Sequence, residues 1–323
     1  MNSLKFYGKG FDFFKIHFVN VVLTILSLTL LYPWAKVREC RYLCQNTFLA
    51  ENSFTFSGTV KEFFKGYIKT LLFLMTLFVA AGVLITLTRE SIWSVVLMTA
   101  IYLVTLAIVY YFMPILLHGS INYRLNNTSW GDIKPSYTGK LSELTPLFFT
   151  GIILSSLTAG IYKAWFQVRL SKYILQNFRF GSLRFDFCGK SEKLFFLYLK
   201  GVLLCLITFG IYGIWFAKQL YEYSVNNIVV KKDDHEFKLH SDANTLEVFE
   251  MVVGNCLLVC LTLGIGASWA YIRYYRFIIE HCTIPAEFNI GSIKEIKSDP
   301  MEKENVATSN LHWLDKWNPI FIA

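Results

Sequence analysis

Six stretches of this chain carry almost no charge: Ile16 to Pro33, Thr70 to Thr88, Ile92 to Leu117, Leu147 to Tyr162, Gly201 to Phe216 and Met251 to Tyr271. One such run is readily a buried helix in a soluble core, but six in one chain make that reading poor. Three or four of them reach the roughly 20 residues that cross a bilayer, and the fourth and fifth do so only with their flanks. Composition agrees, with 54% apolar and 17% charged residues, where a soluble domain carries about 25% charge. The expected fold class is therefore a predominantly α-helical integral membrane protein with about six transmembrane helices. The first run has no small-residue cleavage site and leads straight into the motif described next, so it reads as an uncleaved membrane segment.

A Trp follows most of these runs, with a basic or polar residue four places on and an Asn twelve places on. The copies are Trp34 with Arg38 and Asn46, Trp165 with Arg169 and Asn177, and Trp215 with Gln219 and Asn227; Trp269 with Arg273 is a weaker fourth, with His281 in the twelfth place. Twelve residues beyond the Asn stands the Gly of an alternating aromatic stretch, as in Phe54, Phe56, Gly58 and Phe185, Phe187, Gly189. Tyr137 and Gly139 follow Asn127 at the same distance without a Trp, and Phe6, Tyr7, Gly8 supply the same ending at the start. Apolar alternation with period two predicts short strands, and the Gly marks the turn into the next helix. A Gly five residues before Trp165, Trp215 and Trp269, and Pro33 beside Trp34, interrupt each apolar helix before the Trp helix starts.

Each unit thus reads as strand, apolar helix, turn, amphipathic Trp helix and next strand. The expected domains are a repeated membrane region over 1–294, in units near 4–58, 59–139, 140–189, 190–241 and 242–294, and a polar linker with a short amphipathic tail over 295–323. The second unit holds one additional membrane segment, its two long runs meeting at Arg89, Glu90 and Ser91 in a tight helical hairpin.

The run Leu-Tyr-Pro-Trp-Ala-Lys-Val-Arg-Glu-Cys-Arg-Tyr-Leu-Cys-Gln-Asn-Thr at 31–47, Tyr-Arg-Leu-Asn-Asn-Thr at 123–128 and the Phe-x-Phe-x-Gly endings resemble the YjgN family of bacterial inner-membrane proteins, formerly grouped as a domain of unknown function. The resemblance covers roughly residues 4 to 290. It implies a multi-pass protein of the bacterial inner membrane, and it implies location more firmly than activity. This chain departs from the pattern at Gln219 and at His281 with Cys282, so identical sites in every copy are not expected.

Charge leaves the topology open. Six single crossings would put both termini on one side, the cytoplasm, yet Lys36, Arg38 and Arg41 follow the first run, Arg124 and Lys134 the third, and Arg169, Lys172, Arg179 and Arg184 the fourth. Either orientation leaves a basic segment on the less basic side. Single crossings with interfacial Trp helices are one solution. The other is a re-entrant pair of apolar and Trp helices that returns every strand to one face, which sets Arg residues close to the turn.

The candidate functional face is basic and aromatic. Arg38 with Arg41, Arg169 with Lys172, and Arg273 with Arg276 are each three apart on a helix, with Tyr42, Tyr173, Tyr274 and Tyr275 interleaved. A planar guanidinium beside a phenol suits a phosphate or carboxylate, so membrane lipids with anionic headgroups, or a small anionic solute, are the expected partners. The bland alternative is topology anchoring and contacts between units. Trp34, Trp165, Trp215 and Trp269 are read as interfacial anchors. Asn46, Asn127, Asn177 and Asn227 are read as helix caps, and Gly58, Gly139 and Gly189 as turn marks.

The formal charge of +8 is spread along membrane flanks, which points to headgroups and away from nucleic acid. Glu62, Glu143 and Glu192 stand early in their helices, where a carboxylate favours the positive helix end. His17 and His118 sit in or beside apolar runs, where His17 reads as facing another helix through one hydrogen bond in preference to relaying a proton, and Cys40 with Cys44 and Cys256 with Cys260 read as small packing residues. No nucleophile, metal or phosphate-loop motif is present, so no cofactor is expected and a membrane enzyme is a third reading behind the two that follow. The leading functional expectation is transport or conduction of a small solute or lipid; the alternative is a non-transport scaffold or lipid-binding accessory protein.

Overall fold

The computed structural model describes residues 2–88, 94–232 and 235–285. Strands lead into pairs of helices packed back to back, and the pairs end in strands again. The first hairpin is β1 (Asn2–Phe6), α1 (Gly10–Leu26), α2 (Tyr32–Gln45) and β2 (Thr47–Leu49); the second is β3 (Asn52–Phe56), α3 (Val60–Thr88), α4 (Ser94–Asn126) and β4 (Thr128–Trp130). The third is β5 (Pro135–Tyr137), α5 (Leu141–Leu157), α6 (Lys163–Gln176) and β6 (Phe178–Phe180), and the fourth is β7 (Leu183–Phe187), α7 (Ser191–Ile207), α8 (Gly213–Asn226) and β8 (Ile228–Lys232). The last comprises β9 (His235–Lys238), β10 (His240–Ser241), α9 (Thr245–Leu261), α10 (Ala267–Glu280) and β11 (Cys282–Ile284). The tail over 295–323 and the connection at Arg89, Glu90 and Ser91 lie outside the described residues.

The two strands that flank each helical hairpin are antiparallel partners: Phe6 opposes Thr47, Phe56 opposes Thr128, Tyr137 opposes Phe178, Phe187 opposes Ile228 and Ser241 opposes Cys282. These pairs assemble into two sheets, ordered β10-β11-β1-β2-β3-β4 and β5-β6-β7-β8-β9. Trp130 and Ile133 bridge the turn between β4 and β5, and Leu239 alone separates β9 from β10. One apolar core serves both sheets: Leu49, Trp130, Ile133, Phe180, Leu183 and Val230 are buried together, with Leu4, Phe54, Phe185, Phe237 and Ile284 against them. The helices follow suit, α2 packing on α3, α4 on α5, α6 on α7, α8 on α9, and α10 back on α1. The result is a closed ring of five hairpins above a plugged wall of strands.

The expectation of six single crossings is not confirmed. A chain that crosses once per apolar run would leave the strands flanking the first, third, fourth and fifth hairpins on opposite sides of a bilayer, where they cannot pair. Here the strands at both ends of every hairpin are hydrogen-bonded to each other, so each helical pair returns to the strand wall it left.

The four short hairpins end in one kind of tip. Leu28, Ala159, Phe209 and Leu263 have φ of 49–50°, and the next residue is also left-handed: Thr29 (72°), Gly160 (91°), Gly210 (89°) and Gly264 (91°). The second left-handed residue donates its N–H five residues back, from Gly160 to Ser155 O (2.7 Å) and from Gly210 to Cys205 O (2.7 Å), closing the helix end. Thr158, Thr208 and Thr262 stitch the turn twice, donating to the carbonyl four residues earlier and accepting the N–H four residues later. These tip groups are therefore satisfied internally, while Leu28 (83% exposed), Phe209 (97%) and Leu263 (93%) point outward.

The second hairpin is longer. α3 has 29 residues against 17 in α1, α5, α7 and α9, although α1, α3, α5 and α7 all start two residues after their mouth glycines. The excess of 12 residues corresponds to about 18 Å of helix. Pro114, buried in α4, stands thirteen residues before Asn127 as Pro33 stands before Asn46, and buried Ile115 takes the Trp place. α4 thus contains a segment like the shorter Trp helices plus an extension beyond the level of the other tips. Among the described residues one stretch, Met98–Asn126, is long and apolar enough to cross a bilayer by itself.

Helix packing within the short hairpins takes two forms. Fourteen residues before the Trp, Asn20 and Asn255 donate to the carbonyls of Ala35 (3.1 Å) and Ala270 (3.2 Å). At the equivalent place in the third and fourth hairpins stand Gly151 and Gly201, where an added Cβ would lie 2.0 Å from Phe166 and 2.3 Å from Phe216. Asn opposes Ala, and Gly opposes Phe, so side-chain volume is exchanged across the helix pair. Gly151→Asn should destabilise the protein by about 1–3 kcal/mol through overpacking. Adding Phe166→Ala should make the variant more stable than Gly151→Asn alone, read from thermal unfolding in detergent; additive losses would count against the exchange.

Candidate functional site

The residues that mark each unit in sequence meet at the hairpin mouths. Asn46, Asn127, Asn177 and Asn227 donate their side-chain amides to the carbonyls of Tyr42, Tyr123, Tyr173 and Tyr223 at 2.7–2.9 Å, capping the helix. Their own carbonyls accept the N–H of Tyr7, Ser57, Thr138 and Cys188 at 2.8–2.9 Å, the residues just before the mouth glycines. The four tyrosines then reach across, Tyr42 to Lys9 O (2.8 Å), Tyr123 to Thr59 O (3.3 Å), Tyr173 to Lys140 O (2.7 Å) and Tyr223 to Lys190 O (2.9 Å). A Cβ on Gly58, Gly139 or Gly189 would lie 2.4–2.6 Å from the aromatic residue two places earlier or from the tyrosine, so only glycine fits. These marks are a clamp that joins the two ends of each hairpin.

The basic candidates occupy a stripe down each second helix, at positions three before, zero, four, seven and eleven after the Trp. On α6 the stripe is Tyr162, Trp165, Arg169, Lys172 and Gln176; Arg169 donates to the Tyr162 hydroxyl (2.7 Å), Tyr162 stacks on Trp165, and Arg169 and Lys172 are exposed. On α8 a neutral version repeats this, Gln219 donating to Tyr212 (3.3 Å). On α2, Arg38 lies 4.5 Å over the Trp34 ring and donates to Asn20 (3.4 Å), while Arg41 is exposed. On α10 the Arg273 guanidinium lies along Gly254, and Arg276 donates to Gly8 O (2.8 Å) beneath the neighbouring mouth. The six cations therefore do not converge on one point; they sit at matching levels around the ring.

The tryptophans are joints between neighbours. Trp165 packs on Phe195 of α7, and Trp269 stacks on Phe14 of α1, where only a glycine at position 10 admits it. Trp215 stays 41% exposed.

Comparison with known proteins gives the family. The model of a family described as "Bacterial protein of unknown function (DUF898)" matches residues 1–218 and 214–303. The chain belongs to this family. It is also similar to the inner membrane protein YjgN of Salmonella typhimurium, 35% identical over 60 residues, which is 19% of this chain and 15% of that protein's length. No solved structure matches.

This DUF898 member holds one polar cluster that sequence reasoning did not assemble. His17 and Glu39 face each other at 3.1 Å, Lys36 lies 3.7 Å from the same carboxylate, and buried Asn20 stands between Glu39 and Arg38. The signal was an Asn and a His within an otherwise apolar run, seven residues or fewer from one another. Glu143 and Glu192 lie in first turns as expected, whereas the side chain of Glu62 lies outside the described residues. Cys40 and Cys44 pack against the cluster of Val37, Phe56, Tyr67 and Tyr123.

The fifth mouth is held by different chemistry. His281 replaces the Asn, its Nδ1 on Phe277 O (3.0 Å) and its Nε2 on Glu247 (3.1 Å). Both ring nitrogens face acceptors. Glu247 also accepts the Asn244 N–H (3.0 Å), and that bond, with His281 beside it, holds the carboxyl below the usual carboxylate range. Because the folded value is depressed, the stabilisation is complete above about pH 4.3, the ordinary glutamate value, and is lost as pH falls through the lower folded value. Glu247→Gln should lower the unfolding midpoint at pH 7 and remove that acid-side dependence, measured by thermal melts across pH.

Proposed function

We propose that this protein is an integral inner-membrane protein that binds anionic phospholipid headgroups around a ring of repeated helical hairpins. In this reading α3 and α4 cross the bilayer, and the four shorter hairpins enter one leaflet and return. The observation that carries it is the set of four tips, internally hydrogen-bonded and capped by outward Leu, Phe and Ile. Each such side chain gains about 1.5–3 kcal/mol on leaving water, and a surface of this kind marks a membrane contact. The name of the Salmonella typhimurium relative supports the same location.

Half-depth insertion also removes the difficulty of Arg near a turn. Arg169 is six residues into α6, about 9 Å along the axis, and its side chain adds enough reach to meet phosphates at the edge of a leaflet some 15 Å deep. The strand wall, with Lys5, Lys134, Arg184 and Lys238 on it, then faces the more basic compartment, the cytoplasm, together with both β1 and β11. The apolar core that fills the wall speaks against a solute path along the ring axis. Binding of lipid therefore has more support than conduction of a solute.

Two measurements test the proposal. In a cysteine-free background, single cysteines at Lys5, Ser136, Arg184 and Glu236 should all label from one side with a membrane-impermeant reagent; alternating sides would overturn the topology. Arg169→Ala combined with Arg273→Ala should weaken binding to phosphatidylglycerol vesicles about tenfold, roughly the weight of one charge-assisted bond, with an unchanged thermal midpoint. Equal binding by the variant would remove the basic stripes from the lipid site.

A further inference from the structure

We propose that the stripe on α6 is a track along which phospholipid headgroups pass between leaflets, making the protein a lipid scramblase. The inference rests on the half-depth insertion argued above and adds an activity to it. The barrier to lipid crossing is the transfer of a charged phosphate through about 30 Å of hydrocarbon. Two features of the ring lower it together.

The first is length. The short hairpins stop 12 residues below the end of α3, 17 against 29 residues, or about 18 Å of helix. When the second hairpin spans the bilayer, the remaining tips end near its middle, and the lipids around them must thin or tilt to cover a half-height wall.

The second is chemistry along one edge. Lys172 and Arg169 are exposed, and Arg169 donates to the Tyr162 hydroxyl (2.7 Å) immediately beside the tip. At the mouth end Gln176 continues the line, bonded to Asp186 (3.0 Å). Lys163, exposed at the first residue of α6, adds a cation at the tip itself, 5.9 Å over the Tyr198 ring. One guanidinium fork, two ammonium groups and a phenol at these levels give a phosphate successive partners from the leaflet surface to the bilayer middle. The other short hairpins lack part of this line. Leu31 and Gly266 stand in the Tyr162 place on the first and fifth, and the fourth has Tyr212 but a neutral Gln219 and an acidic Glu222. The track is therefore specific to the third hairpin among the four.

The test uses the full chain reconstituted in phosphatidylcholine and phosphatidylglycerol vesicles with a trace of fluorescent phospholipid, bleached from outside by dithionite. Bleaching should run past the outer-leaflet fraction to near completion with protein, and stop at that fraction without it. Arg169→Ala with Lys172→Ala should slow the second phase about tenfold or more, the weight of a lost charge-assisted bond, while Arg184→Ala, an exposed cation on the sheet, should leave it unchanged. Bleaching that stops at the outer-leaflet fraction, or a double variant as fast as the native chain, overturns the track. A fluorophore on a cysteine at Phe209, quenched by lipids brominated at known depths, separates the two readings. Deep quenching without scrambling overturns the track alone, and a tip outside the hydrocarbon overturns the insertion as well.

Discussion

The structure depends on the hydrogen bonds that shut each hairpin at its mouth. The capping Asn bonds its own helix with its amide and the incoming strand with its carbonyl, while the tyrosine four residues earlier reaches across to the outgoing helix. A helix pair fastened in this way has its two ends on the same side whatever surrounds it. Strand pairing then links neighbouring mouths, and the last link, β1 on β11, closes the ring. The order of the strands and the return of every hairpin to the same sheet wall follow from that closure.

The opposite end obeys a complementary constraint. A turn placed in hydrocarbon must satisfy its own polar groups, and the left-handed pair with its Thr or Ser hydroxyl does so locally. The first hairpin manages it with Thr29 at φ 72° where the others use glycine, a strained conformation for a branched residue that Pro33 at the start of α2 accompanies. Because the tip needs no partner from another hairpin, it can stay exposed, which suits lipid as its neighbour.

Between mouth and tip the hairpins have diverged. Asn20 with Ala35 and Asn255 with Ala270 share one packing, and Gly151 with Phe166 and Gly201 with Phe216 share another. The same divergence directs Arg38 toward Asn20 and Arg169 toward Tyr162. One backbone unit thereby presents a charge cluster in one place, an open basic edge in a second and a neutral edge in a third.

Much of this was legible in the sequence because it is local. Apolar runs, glycine breaks, Trp helices, Asn caps and aromatic strands are each set by residues within a turn or two of one another. The family resemblance also followed from ordered short motifs. What the sequence left open was which side each strand returns to, since charge counts fit neither orientation and hydropathy does not distinguish a crossing from a half-depth hairpin. Within the Trp-less second unit, the likeness of the end of α4 to the shorter Trp helices was hidden, because Ile115 is silent as a motif and only the shared height of Pro33 and Pro114 reveals it. What the tertiary structure decided is that the strands of every hairpin meet in one wall, through pairing between residues as distant as Ser3 and Thr283, contacts that no local pattern encodes.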